Sequence, residues 1–269
     1  ARKGANAERF KREAQILLDL QSPYIVHLFD YFTEGGFRYM VEELVDGMAL
    51  DKLIKKQISL PPQVSMLILQ DACYALKYAH SKEIVHRDIK PGNILISKRG
   101  EIKLADFGIA SDDRDDASVS KDVTQSGVAL GTPAYMPPEQ FEDSSAVDLR
   151  ADIYALGIML YEMVTGTKPY PGTFSIETLN TIKQGKYIDP RKLDKNIPKE
   201  ITSLIHKMIR PKAKKRFQSV DPIIKAVKNY LKHYDTHEIR VQLAKSVIAQ
   251  KEYNFEGLAV KDRKKRIFK

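Results

Sequence analysis

The stretch His86-Arg87-Asp88-Ile89-Lys90-Pro91-Gly92-Asn93 is followed by Asp106-Phe107-Gly108, in which Asp106 lies thirteen positions after Asn93. Between the two stretches, residues 94–96 and 102–104 are short apolar runs on either side of Lys98-Arg99-Gly100. This pattern predicts two strands joined by a tight turn. The stretch therefore brings two carboxylates, a lysine and an amide close together in space.

These side chains suit the transfer of a phosphoryl group from ATP, which needs an oriented hydroxyl and cations that neutralise the phosphates. Asp88 can accept the hydroxyl proton, and Lys90 can reach the transferred phosphate from the same loop. Asn93 and Asp106 supply oxygen atoms of the hard type that Mg²⁺ prefers. Each residue alone is weak support, because an aspartate in a turn is usually only a cap or turn former. In this order, and joined by a hairpin, they predict a phosphotransferase site.

Hydrophobic periodicity predicts the elements around this site. Residues 7–20 form an amphipathic helical pattern, and the β-rich residues 24–32 and 37–45 flank Gly35-Gly36, which predicts an antiparallel hairpin. Pro61-Pro62 can open a helix. Further helices are predicted at 147–165, 174–184, 198–209, 218–232 and 236–250, and the polar residues 109–130 predict a mobile loop.

The composition excludes several classes of protein. Lys and Arg exceed Asp and Glu by 44 − 35 = 9, but no zinc-ligand spacing or basic-aromatic pattern supports specific nucleic-acid binding. No apolar run is long enough for a membrane helix. The single cysteine, Cys73, excludes an internal disulfide, and its apolar helical context predicts a buried side chain rather than a reactive thiol.

From about residue 7 to residue 234 the chain resembles eukaryotic-type (Hanks-type) Ser/Thr protein kinases, most closely the bacterial ones. Residues 131–139 are similar to the end of the family's activation loop, with Pro137-Pro138-Glu139 in place of the more usual Ala-Pro-Glu. Residues 152–157 resemble the start of its long buried helix. The resemblance implies an α+β protein kinase-like fold of two lobes, with an incomplete small lobe and a mainly helical large lobe.

The resemblance also assigns residues to ATP and Mg²⁺, which it implies as substrate and cofactor. Asp88, as the base, Lys90 and Asn93 would be catalytic, and Asn93 and Asp106 would bind the metal. The main chain of Glu43 and Val45 would bond adenine. The residues assigned to ATP binding are Glu13, Glu43, Val45, Lys90 and Leu95.

Structural roles follow from the same resemblance. Asp152 would tie down the catalytic loop, and Arg216 would pair with Glu139 as an anchor. Thr132 would bond Asp88 or Lys90 and shape the platform for a peptide with a Ser or Thr acceptor.

Arg87, which precedes the expected base, is the family's mark of control by phosphorylation of the activation loop. Thr124 and Ser126 are the candidate phosphorylation sites. The alternative is that both are ordinary loop residues, since Ser and Thr are common in loops.

The N-terminal part departs from the family pattern. Only twelve residues precede Glu13, and they contain one glycine and no apolar strand that carries a lysine. Glu42 falls where the family usually has an apolar residue, and a carboxylate there is costly to desolvate unless it is paired. We therefore expect the first three strands of the small lobe to be absent, and this chain by itself to bind ATP poorly with little or no activity.

Three regions are predicted: a partial small lobe at 1–45, a large lobe at 46–235 and a basic helical C-terminal tail at 236–269. The tail is interpreted as solvated, membrane-proximal or a link to another domain. The expected location is the cytoplasm, either free or as part of a larger membrane kinase, and the oligomeric state is open.

Two rival functions remain. The first is a non-catalytic kinase-like scaffold or regulatory fragment, favoured by the missing lysine strand. The second is a small-molecule phosphotransferase of similar fold, disfavoured by the peptide-binding segment 131–139.

Overall fold

The computed structural model describes residues 15, 17–35, 37–107, 133–142, 147–173 and 175–260. Its strands are β1 (Leu28–Glu34), β2 (Phe37–Glu42), β3 (Gly47–Ala49), β4 (Ile94–Ser97) and β5 (Ile102–Leu104). Its helices are α1 (Leu50–Gln57), α2 (Pro62–Ser81), α3 (Pro138–Glu142), α4 (Arg150–Thr165), α5 (Ile176–Gln184), α6 (Pro190–Leu193), α7 (Lys199–Met208), α8 (Asp221–Leu231) and α9 (Thr236–Ile248). Short 3₁₀ turns lie at Pro91–Asn93, Pro133–Tyr135 and Ala213–Lys215. This mixture of small sheets and many helices agrees with the predicted α+β fold.

Strands β1 and β2 form the predicted antiparallel hairpin, with Glu34 opposite Phe37 across the turn. Gly35 has a φ of +58°, a left-handed conformation that glycine adopts without a steric penalty. The second strand is shorter than predicted, because regular pairing ends at Glu42 rather than at residue 45. Phe29 and Phe37 remain more than half exposed on this hairpin.

The second sheet has the order β3-β4-β5, and its β4–β5 pair is the predicted hairpin. Gly47 lies so close to β4 that an added Cβ would be 1.9 Å from the carbonyl oxygen of Ile96, so only glycine fits at the start of β3. On the other edge, the N–H of Val26 donates to the carbonyl of Leu104 (2.9 Å). This parallel contact ties the segment before β1 to the strand that leads into Asp106.

Helices α2 and α4 form the centre of the described core. Helix α2 begins with Pro62, as predicted, because proline at the first helical turn loses no intrahelical hydrogen bond. Nearly all of α4 is buried, and its Gly157 packs so closely on Met208 and Ile209 that a Cβ would lie 2.6–2.7 Å from their side chains. Cys73 of α2 is fully buried, and burial raises the pKa of its thiol. The thiol therefore stays protonated and unreactive, as predicted for a structural cysteine.

The predicted C-terminal helix is present as α9, and it packs against α2, β3 and β4. Its buried face carries Ile239, Leu243 and Val247. The chain then continues back across the N-terminal end of α2, where Gln63 Nε2 donates to the carbonyl of Leu258 (2.8 Å). Within the described ranges, every helix is too short or too polar to cross a bilayer.

Candidate active site

The loop at residues 86–93 is held by the carboxylate of Asp152, which is buried on α4. One oxygen accepts from the backbone N–H of Arg87 (2.8 Å), and the other accepts from that of His86 (3.0 Å). His80 Nε2 lies 2.8 Å from the second oxygen. Arg87 has a φ of +65°, an uncommon conformation for a side chain with a Cβ. The two bonds to Asp152 therefore fix a strained turn of the loop.

His86 connects this loop to the segment that follows β5. Its ring Nε2 lies 2.9 Å from the carbonyl oxygen of Ala105 and must donate to it, so Nδ1 is free to accept from the N–H of Asp88 (3.3 Å). Burial lowers the pKa of His86, which agrees with a neutral ring. The ring also packs on Phe107, with centroids 4.6 Å apart. Sequence reasoning gave His86 no role, because its partner lies nineteen residues away.

Three of the predicted site residues lie within hydrogen-bond distance of one another. Lys90 Nζ donates to Asp88 Oδ2 (2.6 Å), and Asn93 Nδ2 donates to the carbonyl of Asp88 (2.9 Å) and to the same Oδ2 (3.3 Å). Asp88 and Lys90 are partly exposed, whereas Asn93 is buried at the start of β4. Because the amide nitrogen of Asn93 faces Asp88, its oxygen is left for another partner.

Asp106 lies just beyond β5, with an exposed side chain and a φ of +56°. The buried Phe107 follows it, so the left-handed turn points the carboxylate away from the core. An exposed carboxylate and the amide oxygen of Asn93 form a donor set of hard oxygens that fits Mg²⁺. Among the described residues, no group of three or more His, Cys, Asp or Glu is arranged to hold a metal ion.

Glu42 lies at the end of β2, where the sequence raised doubt about a costly buried carboxylate. The side chain is exposed, which reduces the cost of desolvation. Partial burial and the nearby charge of Asp106 nevertheless raise the pKa of Glu42 above its ordinary value. Glu42 therefore contributes negative charge next to Asp106.

The segment after β2 carries Glu43 and Val45, which were expected to bind adenine through the main chain. The N–H of Glu43 donates to the carbonyl of His27 (2.8 Å). In the described part of the chain, the carbonyl of Glu43 and the N–H of Val45 make no hydrogen bond. Leu95, also assigned to ATP, is half-buried on β4 opposite Ala49 and Lys103.

The carboxylate of Glu43 joins this segment to β5. It accepts from Lys103 Nζ (2.8 Å) and from the N–H of His27 (3.2 Å). Burial alone would raise the pKa of Glu43, but the bonds from Lys103 and His27 outweigh burial and hold it below the ordinary value. Lys103 was not singled out from the sequence, since sixty residues separate it from Glu43.

Helix α3 is anchored by Arg216 and Glu139. The guanidinium donates to both carboxylate oxygens of Glu139, at 2.5 and 2.7 Å, and to the backbone carbonyls of Arg210, Pro211 and Arg150. It also lies over the ring of Tyr154 at 4.7 Å. The forked geometry matches a carboxylate and holds residues 138–142 against the start of α4.

Several predicted site residues lie outside the described residues. They are Glu13, Thr124, Ser126 and Thr132, together with Gly108 of the Asp-Phe-Gly turn. Their assigned roles stay predictions.

Comparison with known proteins agrees with the predicted family. The sequence model of the protein kinase domain matches residues 1–233. A probable serine/threonine-protein kinase of Clostridium perfringens (strain 13 / Type A) is 36% identical over 216 residues, which cover 80% of this chain and 31% of that protein. The serine/threonine-protein kinase PknB of Mycobacterium leprae is 36% identical over 215 residues, covering 78% and 34% of the two chains.

Among solved structures, the crystal structure of Rad53 1-466 in complex with AMP-PNP is similar, with a TM-score of 0.67 and 27% identity. The match covers 82% of this chain and 53% of that chain. This chain spans about a third of the length of the curated relatives it matches. The family match extends over most of the chain and includes the loop held by Asp152, so the chain belongs to the protein kinase domain family.

Proposed function

We propose that this chain is the catalytic part of a Ser/Thr protein kinase that transfers the γ-phosphoryl group of ATP to Ser or Thr hydroxyls of proteins. The observation that carries the proposal is the contact of Asp88, Lys90 and Asn93 on a loop fixed by Asp152. Relatives named serine/threonine-protein kinases at 36% identity support the substrate class.

Asp88 orients the acceptor hydroxyl and takes its proton. The hydroxyl oxygen forms a bond to the γ-phosphorus while the bond from that phosphorus to the ADP oxygen breaks, and ADP leaves with the electron pair. The carboxylate is partly exposed beside Lys90, so an incoming hydroxyl can reach it. Asn93 holds the Asp88 backbone in place through its amide nitrogen.

Lys90 supplies positive charge to the transferred group. In the structure its ammonium bonds Asp88 Oδ2 at 2.6 Å, next to the carboxylate that would orient the acceptor hydroxyl. A cation fixed at this place stabilises the charge on the transferred group in the transition state.

Asn93 Oδ1 and the Asp106 carboxylate would hold Mg²⁺, which when bound neutralises the phosphate oxygens of ATP. The carbonyl of Glu43 and the N–H of Val45 would bond the adenine, and Leu95 would contact the nucleotide. Glu13 would position a phosphate-binding lysine.

Regulation would act on the segment before α3. Phosphorylation of Thr124 or Ser126 would add charge that the guanidinium of Arg87 could bind, and Thr132 would bond Asp88 or Lys90. A cytoplasmic location, free or as part of a membrane-anchored kinase, fits a protein that uses ATP.

A radiometric assay with the purified 269-residue polypeptide, Mg·ATP and a generic basic protein acceptor tests this function. Incorporation by this polypeptide is expected to be low, and Asp88→Asn should lower any turnover that it shows by at least roughly a hundredfold, in the range of lost general-base catalysis. Asp46→Asn is the matched control, because Asp46 is an exposed aspartate that forms an ion pair with Lys98. Incorporated label should be found on serine and threonine.

Turnover that does not change in Asp88→Asn would contradict the proposal. Binding of AMP-PNP in the presence of Mg²⁺, which Asp106→Asn should weaken, measures the nucleotide site separately from turnover. The expectation of weak binding by this polypeptide stays a prediction that the same measurement checks. A folded chain that binds nucleotide but labels no acceptor would favour the scaffold or regulatory alternative.

A further inference from the structure

A cluster of basic side chains surrounds the end of α7 and the 3₁₀ turn that follows it. Residues 201–220 contain six lysines and arginines and no aspartate or glutamate. One of the six, Arg216, is buried against Glu139. The other five are exposed, and they define the basic patch: Lys207, Arg210, Lys212, Lys214 and Lys215. The patch therefore presents five positive charges to solvent in one short stretch of the chain.

The patch cations have no anionic partner. In the described part of the chain, none of the five lies within ion-pair distance of a carboxylate. The carboxylates near the patch each have another partner: Glu139 with Arg216, Asp148 with Arg150, and Asp189 with His206. Because like charges held close together repel one another, an anionic segment that reaches this surface is attracted to it.

Hydrogen bonds fix the backbone beneath the patch. The guanidinium of Arg216 donates to the carbonyls of Arg210 (2.7 Å) and Pro211 (2.8 Å). Lys207 Nζ lies 4.3 Å from the centroid of the Phe217 ring, which places this cation beside the residues that follow the 3₁₀ turn. The patch is a preformed surface, so a ligand does not have to order its backbone on binding.

The sequence itself contains a segment of the opposite charge. Residues 112–116 read Asp-Asp-Arg-Asp-Asp, and these four carboxylates in five residues make the densest acidic stretch of the chain. This acidic segment lies outside the described residues. Two copies of the chain can exchange two identical contacts between acidic segment and basic patch about a two-fold axis, whereas a single copy can form only one.

We propose that the basic patch binds the acidic segment of a second copy of this chain. The contact is electrostatic, between the patch cations of one copy and the four aspartates of the other. It requires no turnover at Asp88, so it stands or fails separately from the proposed kinase activity.

The contact has a consequence for phosphorylation, which does rest on the proposed function. The patch is joined to the catalytic loop, because Arg216 donates to the carbonyl of Arg150 (3.0 Å) and Asp152 accepts from the N–H of Arg87 (2.8 Å). The candidate phosphorylation sites follow the acidic segment by eight and ten residues, and eight extended residues span at most about 26–29 Å. Docking would therefore bring Thr124 or Ser126 of one copy towards Asp88 of the other.

Fluorescence polarisation tests the contact without turnover. The probe is a fluorescein-labelled peptide with the sequence of residues 110–118, and the comparison peptide has asparagine at its four aspartates. The protein is the full chain with the same four aspartates changed to asparagine, called the segment variant, so that its own acidic segment does not compete for the patch. The acidic peptide should bind saturably, and its affinity should fall as the salt concentration rises.

Three substitutions in the patch, Lys212→Gln, Lys214→Gln and Lys215→Gln, should weaken binding of the acidic peptide roughly tenfold. The matched control removes three exposed lysines elsewhere and should leave the affinity unchanged: Lys192→Gln, Lys195→Gln and Lys251→Gln. Thermal unfolding checks that each variant is folded.

Sedimentation velocity at low ionic strength distinguishes a second copy from the same copy. A chain with the three patch substitutions keeps its acidic segment, and the segment variant keeps its patch, so a mixture of the two should form a complex that neither forms alone. The proposal is overturned if the mixture forms no complex, if the acidic peptide shows no saturable binding or binds no better than the asparagine peptide, or if the patch and control substitutions have equal effects.

Discussion

Asp152 connects α4 to the loop of the candidate active site through two backbone N–H groups and the His80 ring. Carboxylate oxygens only accept hydrogen bonds, so the two backbone N–H groups donate to Asp152 and His80 must have its proton on Nε2 to do the same. The Asp152 side chain is almost completely buried. A neutral isostere at this position therefore tests how far the loop conformation depends on one residue.

Asp152→Asn should lower the free energy of unfolding by about 2–4 kcal/mol, because its NH₂ group would face another donor in a buried site. Phosphate transfer should fall by more than the unfolded fraction accounts for, since Arg87 would leave its strained conformation. Urea unfolding and the radiometric assay check the two effects.

The control for this prediction is Asp46→Asn at an exposed ion pair, where a change within about 1 kcal/mol is expected. Equal stability of the two variants would show that the loop does not depend on Asp152.

Glu42 gives a second prediction at the scale of one residue. Its carboxylate lies near Asp106, and burial together with that charge raises its pKa. A raised pKa means that the folded state favours the protonated form. The contribution of the protonated Glu42 side chain to stability is fully present below about pH 4.5. It is lost as the pH rises through the pKa of Glu42 in the folded state.

Glu42→Gln should therefore flatten the pH dependence of stability above pH 4.5 and tighten the binding of AMP-PNP with Mg²⁺ a few-fold at neutral pH. The reason is that a negative charge near Asp106 is removed, and the Mg·AMP-PNP complex is itself anionic. Titration with the nucleotide at two salt concentrations checks it. Weaker nucleotide binding by Glu42→Gln would show that the carboxylate has a favourable contact with the ligand.

At the scale of elements, the sequence predicted the parts whose signals are local. Helix α5 illustrates this, since Ser175 caps it by accepting from the N–H of Thr178 and Gly185 ends it in a left-handed conformation. Strand β3 was missed, because three residues beginning with Gly47 carry no period and pair with residues of β4 far along the chain. Helix α1 directly follows β3 and was missed with it.

The same distinction holds for the candidate site. Asp88, Lys90 and Asn93 are near neighbours in sequence, so their spacing alone predicted that they lie together. The pair formed by Glu43 and Lys103 joins two elements whose packing the sequence does not specify, so it was found only in the structure.

The contact between α9 and α2 is also of this long-range kind. Arg240 donates to the buried Asp71 (2.9 Å) and to the carbonyl of Gly100 (2.9 Å). Burial raises the pKa of Asp71, and the charge of Arg240 partly offsets it. Gly100 leaves no room for a side chain here, because a Cβ would lie 2.5 Å from the Arg240 carbonyl oxygen.

Arg240→Met should destabilise the fold by about 2–3 kcal/mol at neutral pH. This is below the usual cost of breaking a buried pair, because a third of the Arg240 side chain is exposed. Without the arginine the pKa of Asp71 rises further, so the loss should be smaller at acidic pH, where Asp71 is protonated in the folded state. Urea unfolding at two pH values measures it.

Lys77→Met removes an ion pair with Asp221 in which both side chains are more than half exposed, and it should cost less than about 1 kcal/mol. A loss in Arg240→Met that is the same at both pH values would contradict the role given to Asp71.

At the scale of the whole molecule, the question is whether residues 236–260 unfold with the large lobe. Leu243 of α9 is fully buried, whereas Ile248 of the same helix is 59% exposed. Lys56 of α1 also donates to the carbonyls of Ser246 and Ala249, at 2.5 and 2.9 Å, at the end of α9. These contacts predict one cooperative unit.

Leu243→Ala should therefore lower the midpoint of the main thermal transition, with a loss of about 2–5 kcal/mol, because it leaves a cavity among α2, α9 and β4. Ile248→Ala, at an exposed position of the same helix, should change the free energy of unfolding by less than about 1 kcal/mol. Differential scanning calorimetry of both variants measures whether the main transition shifts. A separate transition at lower temperature, which Leu243→Ala shifts while the main transition stays in place, would show that α9 unfolds independently of the large lobe.

The pairing of Asp71 with Arg240 has a consequence for synthesis of the protein on the ribosome. The two residues are 169 positions apart, and at about 5–20 residues per second the arginine is made on the order of ten to thirty seconds after the aspartate. During that time the nascent chain has an uncompensated carboxylate and an uncovered apolar surface on α2. We therefore expect chaperones that bind nascent chains to contact α2 until α9 has packed against it.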